Sequence, residues 1–442
     1  MAATAAHTNA SELSEAQRNS EALRVALASL VGSTIEWYDF FLYGTASALV
    51  FGELFFPTFS TVSATLLSFS TMAVGYIARP LGAIVMGHFG DKLGRKVMLV
   101  SSLVMMGVPT TIIGFLPSFN AIGVAAPLIL VLARLLQGFA VGGEVGGAIT
   151  MAVEHAPERR RGLFGGFPQL GVASGLVLAN LIFLASTAWL TPEQFKAFGW
   201  RIPFLFSIIL VLVGIYVRLR VSESPIFAFM KRAGEEIKLP LMRLFERAWK
   251  QILIVALTTL FTNVMGFVGL IFMLRYATTS LGLSRSTILT FTIIANLIEI
   301  PATLYFAHLS DRLGRRTVYL WALGFGVIWG AAFFPLANTG GPALVFVAIL
   351  VARLCIAAIF GPQAALFSEL FDTNIRYSGI SVGYSISSII GAQTPAIATW
   401  IVAATGGTLA LSGYMAAAAL ISFVTALFLW ETYKVDLQAK LD

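Results

Sequence analysis

Charge is scarce in this chain. Of its 442 residues only 12% are Asp, Glu, Lys or Arg, against about 25% in a soluble domain. That is too little to cover a water-facing surface. With 57% hydrophobic residues and a mean hydropathy of +0.84, the solvent of most of the surface is hydrocarbon. Cysteine is nearly absent. Cys355 stands alone, which excludes a disulfide within one chain. The four histidines, His7, His88, His155 and His308, have no metal-ligand spacing, so neither a metal nor a cofactor is expected. An H-E-x-x-H helix is missing, and "GISVG" at 379–383, which has the G-x-S-x-G spacing, lies within an apolar run rather than at a strand-to-helix elbow, which argues against an intramembrane enzyme. The first 23 residues hold no short apolar core before a small-residue cleavage site, so no removable signal peptide is expected.

What the chain has in plenty is apolar runs of about 20 residues, the length that crosses a bilayer as a helix. Twelve can be placed, near 25–50, 62–87, 97–116, 124–152, 163–187, 201–218, 251–277, 286–307, 317–337, 343–369, 377–403 and 409–430. Their length excludes a β-barrel, whose strands alternate over about 10 residues. The fold class is therefore all-α and membrane-embedded. On this reading most basic residues fall on one face, including Lys92, Arg95, Lys96, Arg159, Arg160, Arg161, Arg312, Arg315 and Arg316. The other face holds little beyond Lys196, Arg201 and Arg285. Positive charge marks the cytoplasmic side, so both termini are expected there. The net charge of +7 thus records orientation, and no nucleic-acid partner is inferred.

The chain reads as one half written twice. "GHFGDKLGRK" at 87–96 returns as "AHLSDRLGRR" at 307–316, 220 residues later. Asp91 precedes Arg134 by 43 residues, and Asp311 precedes Arg353 by 42. Arg161 follows Glu154 by seven, and Arg376 follows Glu369 by seven. Duplication of a six-helix unit follows. The expected organisation is a tail (1–23), a first bundle (24–218), a polar linker (219–249), a second bundle (250–430) and a second tail (431–442). Two such bundles facing each other form a transporter plan with a site near the midplane. In each copy of the loop, a glycine permits a tight turn. The acid can accept hydrogen bonds from a helix N-terminus or a basic side chain. Asp91 and Arg95, with Asp311 and Arg315, are read as conformational latches; a plain positive-inside anchor is the alternative.

Few ionisable residues lie inside the apolar runs, and such residues are costly unless they face a cavity and a partner. "STIEWYDFFLYG" puts Glu36 and Asp39 in the first run. At 1.5 Å per residue Glu36 lies roughly 18 Å above Arg24, near mid-membrane. Asp39 is one turn higher on the same face, at about the depth of Arg134 in the fourth run. Loss of water disfavours the charged carboxylate and a guanidinium favours it. Asp39, Glu36 and Arg134 are therefore candidates for proton coupling, with a static buried salt bridge as the other reading. Glu144 lies among Gly138, Gly142, Gly143, Gly146 and Gly147, which suit close helix packing. Arg79 and Glu299 each precede the latch acid by twelve residues, placing opposite charges at equivalent positions across the expected cavity. The seventh run has Thr262 and Asn263 where the first has its acids.

Four arginines (Arg79, Arg134, Arg275, Arg353) thus oppose four acids (Glu36, Asp39, Glu144, Glu299), a balance suited to an anion or zwitterion. The guanidinium fork recognises carboxylates, and Arg79 is the expected contact. Trp37, Tyr38, Tyr43, Gln137, Asn263, Gln169, Asn296, Tyr384 and Gln393 could add hydrogen bonds or ring contacts, though any one of them could equally be packing.

"EWYDFFLYG", "ARPLGAIVMGHFGDKLGRK", "RLLQGFAVGGE" and "WRIPFLFS" together resemble the metabolite:proton symporter branch of the major facilitator superfamily. That branch includes shikimate, α-ketoglutarate and betaine carriers, and the shikimate-carrier-like group looks nearest. The resemblance covers nearly the whole chain. It implies a twelve-helix fold with pseudo-twofold symmetry, a monomer in the inner membrane, and import of a small metabolite with a proton. It also implies an acid on helix 1 paired with an arginine on helix 4. Val145 departs from the aromatic expected after the glutamate of "GGE". Drug–proton exchange is the rival within this fold, but the fifth run reads "GGFPQLGVASG" and lacks the G-x-x-x-G-P pattern of exchangers. A uniporter would not require Asp39 to titrate.

Overall fold

A chain of this hydropathy can satisfy its backbone in hydrocarbon only by closing every hydrogen bond within helices, and helices are what it forms. The computed structural model describes residues 15–93, 95–220, 241–339, 341–371 and 376–433, and no strand occurs among them. Among the described residues ten helices are long and apolar enough to cross a membrane. They are α1 (Asn19–Phe55), α2 (Thr61–Met86), α4 (Ala125–Glu154), α5 (Glu158–Trp189), α7 (Ala248–Thr279), α8 (Arg285–Leu313), α9 (Arg315–Ala337), α10 (Pro342–Leu370), α11 (Arg376–Thr405) and α12 (Leu409–Leu427). The bent pair that ends in α6 (Arg201–Val217) makes an eleventh if it is one span, and α3 (Val100–Phe115) is a shorter apolar helix on the third run. Each falls on one of the twelve runs. A helix runs from Leu241, inside the expected linker 219–249, and kinks at Ala248, where α7 begins. Residues 221–240 of that linker lie outside the described residues.

Packing repeats with the sequence. α1 packs on α5 and α7 on α11; α2 packs on α4 and α8 on α10; α3 packs on α6 and α9 on α12. The bundles meet through α5 with α8 and α2 with α11, again equivalent pairs. Along α4, Leu128, Leu132 and Leu136 are exposed at every fourth residue, whereas Leu130, Ala133, Arg134 and Gln137 are buried. That period gives the helix a lipid face and an interior face, and it turns Arg134 inward.

Glycine draws α2 and α4 together. A Cβ on Gly75 would stand 2.9 Å from the Arg134 carbonyl oxygen, and one on Gly138 would overlap the Gly75 carbonyl. Both helices break beside this contact. α2 is interrupted at Ala78 and restarts at Arg79, where Pro80 fits a first turn that has no use for its missing N–H. α4 is interrupted at Gly142 and Gly143 and restarts at Glu144. Two charged side chains therefore stand at helix breaks rather than on continuous rods. π-helical turns interrupt α1 at Ser47–Phe51 and α7 at Val268–Phe272, equivalent places in the two halves.

Candidate functional site

Between the bundles lies a narrow cavity of about 60 Å³. Its first-bundle wall carries Ser33, Glu36, Trp37, Arg79, Val145 and Gln169. Its second-bundle wall carries Thr262, Asn263, Arg353, Tyr384 and Ser388 beside apolar Phe267, Leu270 and Phe360. Two arginines, one acid and several neutral hydrogen-bonding groups thus face one narrow space. Val145, the departure from the expected aromatic, is on the wall, where its smaller side chain leaves more room.

Arg79 is a buried charge on the wall of this cavity. Its guanidinium lies 4.2 Å from the ring centres of both Phe40 and Tyr76 and 5.8 Å from that of Trp37, so cation–π contacts hold it in place. Its Nη2 stands 3.9 Å from Glu36 Oε1, too far for a hydrogen bond. Both Nε and Nη2 lack a hydrogen-bond partner although the residue is only 4% exposed. Those two N–H groups form the edge that grips a carboxylate in bidentate fashion.

Asp39 does not reach the cavity. It turns toward α3, where its Oδ2 accepts from the Thr110 hydroxyl at 2.8 Å. The predicted pair with Arg134 is indirect: Arg134 Nη1 donates to Gln137 Oε1 at 2.8 Å, and Gln137 Nε2 donates to the Thr110 oxygen at 2.6 Å. Two neutral residues thus stand between acid and base. Arg134 stacks over Tyr43 at 4.1 Å and Phe40 at 4.9 Å, leaving its Nε and Nη2 without hydrogen bonds. Phe40 therefore lies under both arginines.

The second bundle is closed by comparison. Glu299 on α8 accepts from Arg353 Nε on α10 at 2.6 Å and also contacts Arg353 Nη2. The expected opposition of Arg79 and Glu299 across the cavity is not what forms. Glu299 pairs within its own bundle because α8 packs on α10 and brings Arg353 to it. The equivalent pair in the first bundle is Arg79 and Arg134, two like charges that cannot pair, so their acids come from α1 instead.

Several predicted contacts stand off the cavity wall. Tyr43 sits below Arg134 and hydrogen-bonds Thr71 at 2.6 Å. Gln137 is taken up by the Thr110 relay. Glu144 faces α3, where Ser102 donates to it at 3.4 Å. Arg275 is near the far end of α7 and lines an outer recess with Glu53, Thr61 and Thr65. Gln393 is half-buried on α11 away from the cavity. Asn263 does line it, and its amide donates to Ser387 at 2.9 Å. Gln169 and Tyr384 line it too, in a cluster that bridges the bundles. Gln169 donates to Tyr384 at 3.0 Å and to Gln363 at 3.2 Å, and the Tyr384 hydroxyl donates to Gln363 at 2.6 Å. Gln363 in turn donates to Tyr319 at 3.2 Å. Sequence reading missed Thr110, Gln363 and Tyr319, all neutral. One signal existed for Gln363: Arg134 and Arg353 are 219 apart, and the same step carries Glu144 to 363.

At the basic end the second copy of the repeated loop makes contacts between the bundles. Asp311 accepts from the backbone N–H groups of Gly162 and Leu163 at 2.9 and 3.0 Å, so an acid of one bundle caps α5 of the other. Arg315 holds that acid at 2.7 Å and stands 3.5 Å from Glu369. Arg376 pairs with Glu154 at 2.9 Å, again between bundles. The C-terminal segment completes the cluster: Thr432 donates to Glu369 at 2.6 Å, and Glu431 accepts the Arg315 backbone N–H at 2.7 Å beside Gly314, whose φ is +100°. The Asp91 and Arg95 side chains of the first latch lie outside the described residues.

Asp311→Asn removes the charge from two charge-assisted bonds, worth about 1.5–3 kcal/mol to the form closed at this end. Turnover is expected to fall about tenfold while the substrate dissociation constant stays within about twofold. Uptake rate and equilibrium binding on the same preparation separate the two. A collapse of affinity with intact turnover would mean that the loop contacts substrate.

Comparison with known proteins places this geometry. The sequence profile of the Major Facilitator Superfamily matches residues 29–392 and 260–440. The inner membrane metabolite transport protein YhjE of Escherichia coli (strain K12) is 40% identical over 418 residues, 92% of this chain and 94% of that protein. The shikimate transporter of the same organism is 38% identical over 423 residues, 94% of this chain and 96% of that protein. In fold, the chain matches the proton:xylose symporter XylE bound to 6-bromo-6-deoxy-D-glucose, with a TM-score of 0.76 and 20% identity. That match covers 96% of this chain and all of XylE's.

Proposed function

The chain belongs to the major facilitator superfamily, a family of transporters rather than enzymes, and from that premise we infer that it is a proton-coupled symporter of a small organic anion. In this reading it works by alternating access in an inner membrane, as a monomer, with the basic end and both termini in the cytoplasm. The domain limits expected from the sequence belong to the same reading. The observation that carries it is the unpartnered Nε/Nη2 edge of Arg79 on the wall of the inter-bundle cavity. A buried fork with no bond of its own is matched by a ligand carboxylate. Asp39, enclosed and joined to Arg134 through Thr110 and Gln137, is the proton site. Glu36, on the same wall and 3.9 Å from Arg79, gives a zwitterion such as a betaine a second anchor, with Trp37 beside it for the cation.

The test is uptake into proteoliposomes of a labelled panel, at two external pH values, comprising hydroxy acids including shikimate, keto acids, dicarboxylates and a betaine. At least one carboxylate is expected to accumulate at low external pH, and its uncharged amide to compete at least tenfold more weakly. Equal competition by the amide would sink carboxylate recognition. Loss of accumulation at low external pH, with gain at high pH, would favour exchange over symport.

A further inference from the structure

The Thr110 hydroxyl has more neighbours than one hydrogen can serve. Its Oγ1 is 2.8 Å from Asp39 Oδ2, 3.0 Å from the Met106 carbonyl oxygen and 2.6 Å from Gln137 Nε2. The Gln137 Nε2 can only donate, so the Thr110 oxygen accepts there. The hydroxyl hydrogen then has two acceptors, the Asp39 carboxylate and the Met106 carbonyl, and points to one at a time. Asp39 Oδ1 has no hydrogen-bond partner among the described residues, so within them Thr110 supplies the hydrogen bond to this buried acid.

We propose that Thr110 is the positioning residue of the proton site, a hydroxyl that reverses direction so that Asp39 stays hydrogen-bonded with and without its proton. With Asp39 ionised, Thr110 donates to Oδ2 and accepts from Gln137. When a proton arrives on Oδ2, that O–H donates to Thr110 Oγ1, and the Thr110 hydrogen swings to Met106. The threonine oxygen then accepts twice and donates once, within its capacity. No bond is formed or broken beyond the O–H of Asp39, and no heavy atom has to travel. A valine would fill the same space with neither function.

The charged and titratable groups around Asp39 are few. α1 itself carries Glu36, Tyr38 and Tyr43; α2 brings Arg79 and Tyr76; α4 brings Arg134, with Glu144 nearly three turns further along beside Ser102 of α3. α5 presents Gly175 to the Tyr38 backbone, and α6 presents the Pro203 carbonyl to the Tyr38 hydroxyl. Among the described residues, α3 touches the acid through the Thr110 hydroxyl. Thr110 is therefore the side chain that joins Asp39 to Gln137 and, through it, to Arg134.

This rests on Asp39 being the site that takes the proton, and the experiment keeps the two ideas apart by using the proton itself as probe. Purified full-length protein is titrated by infrared difference spectroscopy, following the carbonyl band of a protonated carboxyl that is lost in Asp39→Asn. Thr110→Val is expected to move the midpoint of that band about one pH unit upward, because a bond to the charged form is stronger than one to the neutral form. The band itself should shift to higher frequency, its hydrogen bond gone. Thr110→Ser should restore both, with a midpoint within about 0.3 unit of the wild type. In proteoliposomes, Thr110→Val should slow net uptake, which needs proton release, more than it slows exchange. If Thr110→Val does not fold, Thr110→Ala and Thr110→Cys take its place in the same comparison. A wild-type midpoint and frequency in Thr110→Val, with the band still assigned to Asp39, overturns the role of Thr110 alone. If no band disappears in Asp39→Asn, the proton site itself has been misplaced and both ideas fall.

Discussion

Asp39→Asn is expected to bring accumulation down to equilibrium while exchange across the membrane survives. One pH unit is a factor of ten in proton activity, so a gradient of two units supports up to about a hundredfold accumulation at one proton per molecule. The asparagine can still accept from Thr110, which preserves the packing of α1 against α3. It cannot take up and release a proton. Net uptake requires the empty carrier to return with Asp39 ionised, whereas exchange cycles the loaded form only. The ratio of internal to external substrate should fall to about one, with counterflow within about threefold of the wild type. Both are read with a labelled carboxylate in proteoliposomes. Accumulation at the wild-type level would remove Asp39 from the coupling step.

Arg79→Gln is expected to be as severe, through binding. A bidentate charge-assisted contact in a desolvated site contributes about 2–4 kcal/mol, so affinity should fall roughly 30- to 1,000-fold. Arg79→Lys should recover little of it, since an ammonium offers a point charge where the site presents a planar fork. Arg353→Gln serves as the contrast. It would leave Glu299 buried with its counterion gone, a loss of about 3–5 kcal/mol that appears as lower folded yield. Isothermal binding and thermal unfolding on the same preparations tell the two apart. Arg79 variants that unfold as readily as Arg353→Gln, with no loss of affinity in what remains folded, would recast Arg79 as structural.

The membrane made part of this molecule easy to read. Apolar runs had to be helices of near-constant length, so the twelve spans lie close to where the sequence put them. Charges inside them were few enough that Glu36, Asp39, Arg79, Arg134 and Arg353 all proved to be buried and partnered or cavity-facing. Pairing was harder. Depth along separate helices put Asp39 level with Arg134, yet rotation of α1 turned the acid to Thr110. Repeat symmetry set Glu299 opposite Arg79, yet contact between α8 and α10 gave it to Arg353. Arg275 fell outside because α7 carries it well past mid-depth. Thr110, Gln363 and Tyr319 were invisible for a plainer reason. A threonine, glutamine or tyrosine costs little in a helix bundle, so its presence announces nothing until a neighbour is known.

The C-terminal segment bears on how the protein is made. Glu431 meets Arg315, which lies 116 residues earlier in the chain, and Thr432 meets Glu369, 63 residues earlier. A ribosome delivers these two residues only after every span has entered the bilayer. Until then the start of α9 has no carboxylate on its free N–H groups, and Glu369 lacks its hydroxyl donor. Nascent chains therefore pass through a stage in which both bundles are inserted but the second clasp is unfinished. These two contacts are polar bonds that reach back along the chain, so this part of the second bundle is held by hydrogen bonding and not by the apolar packing that shapes the spans.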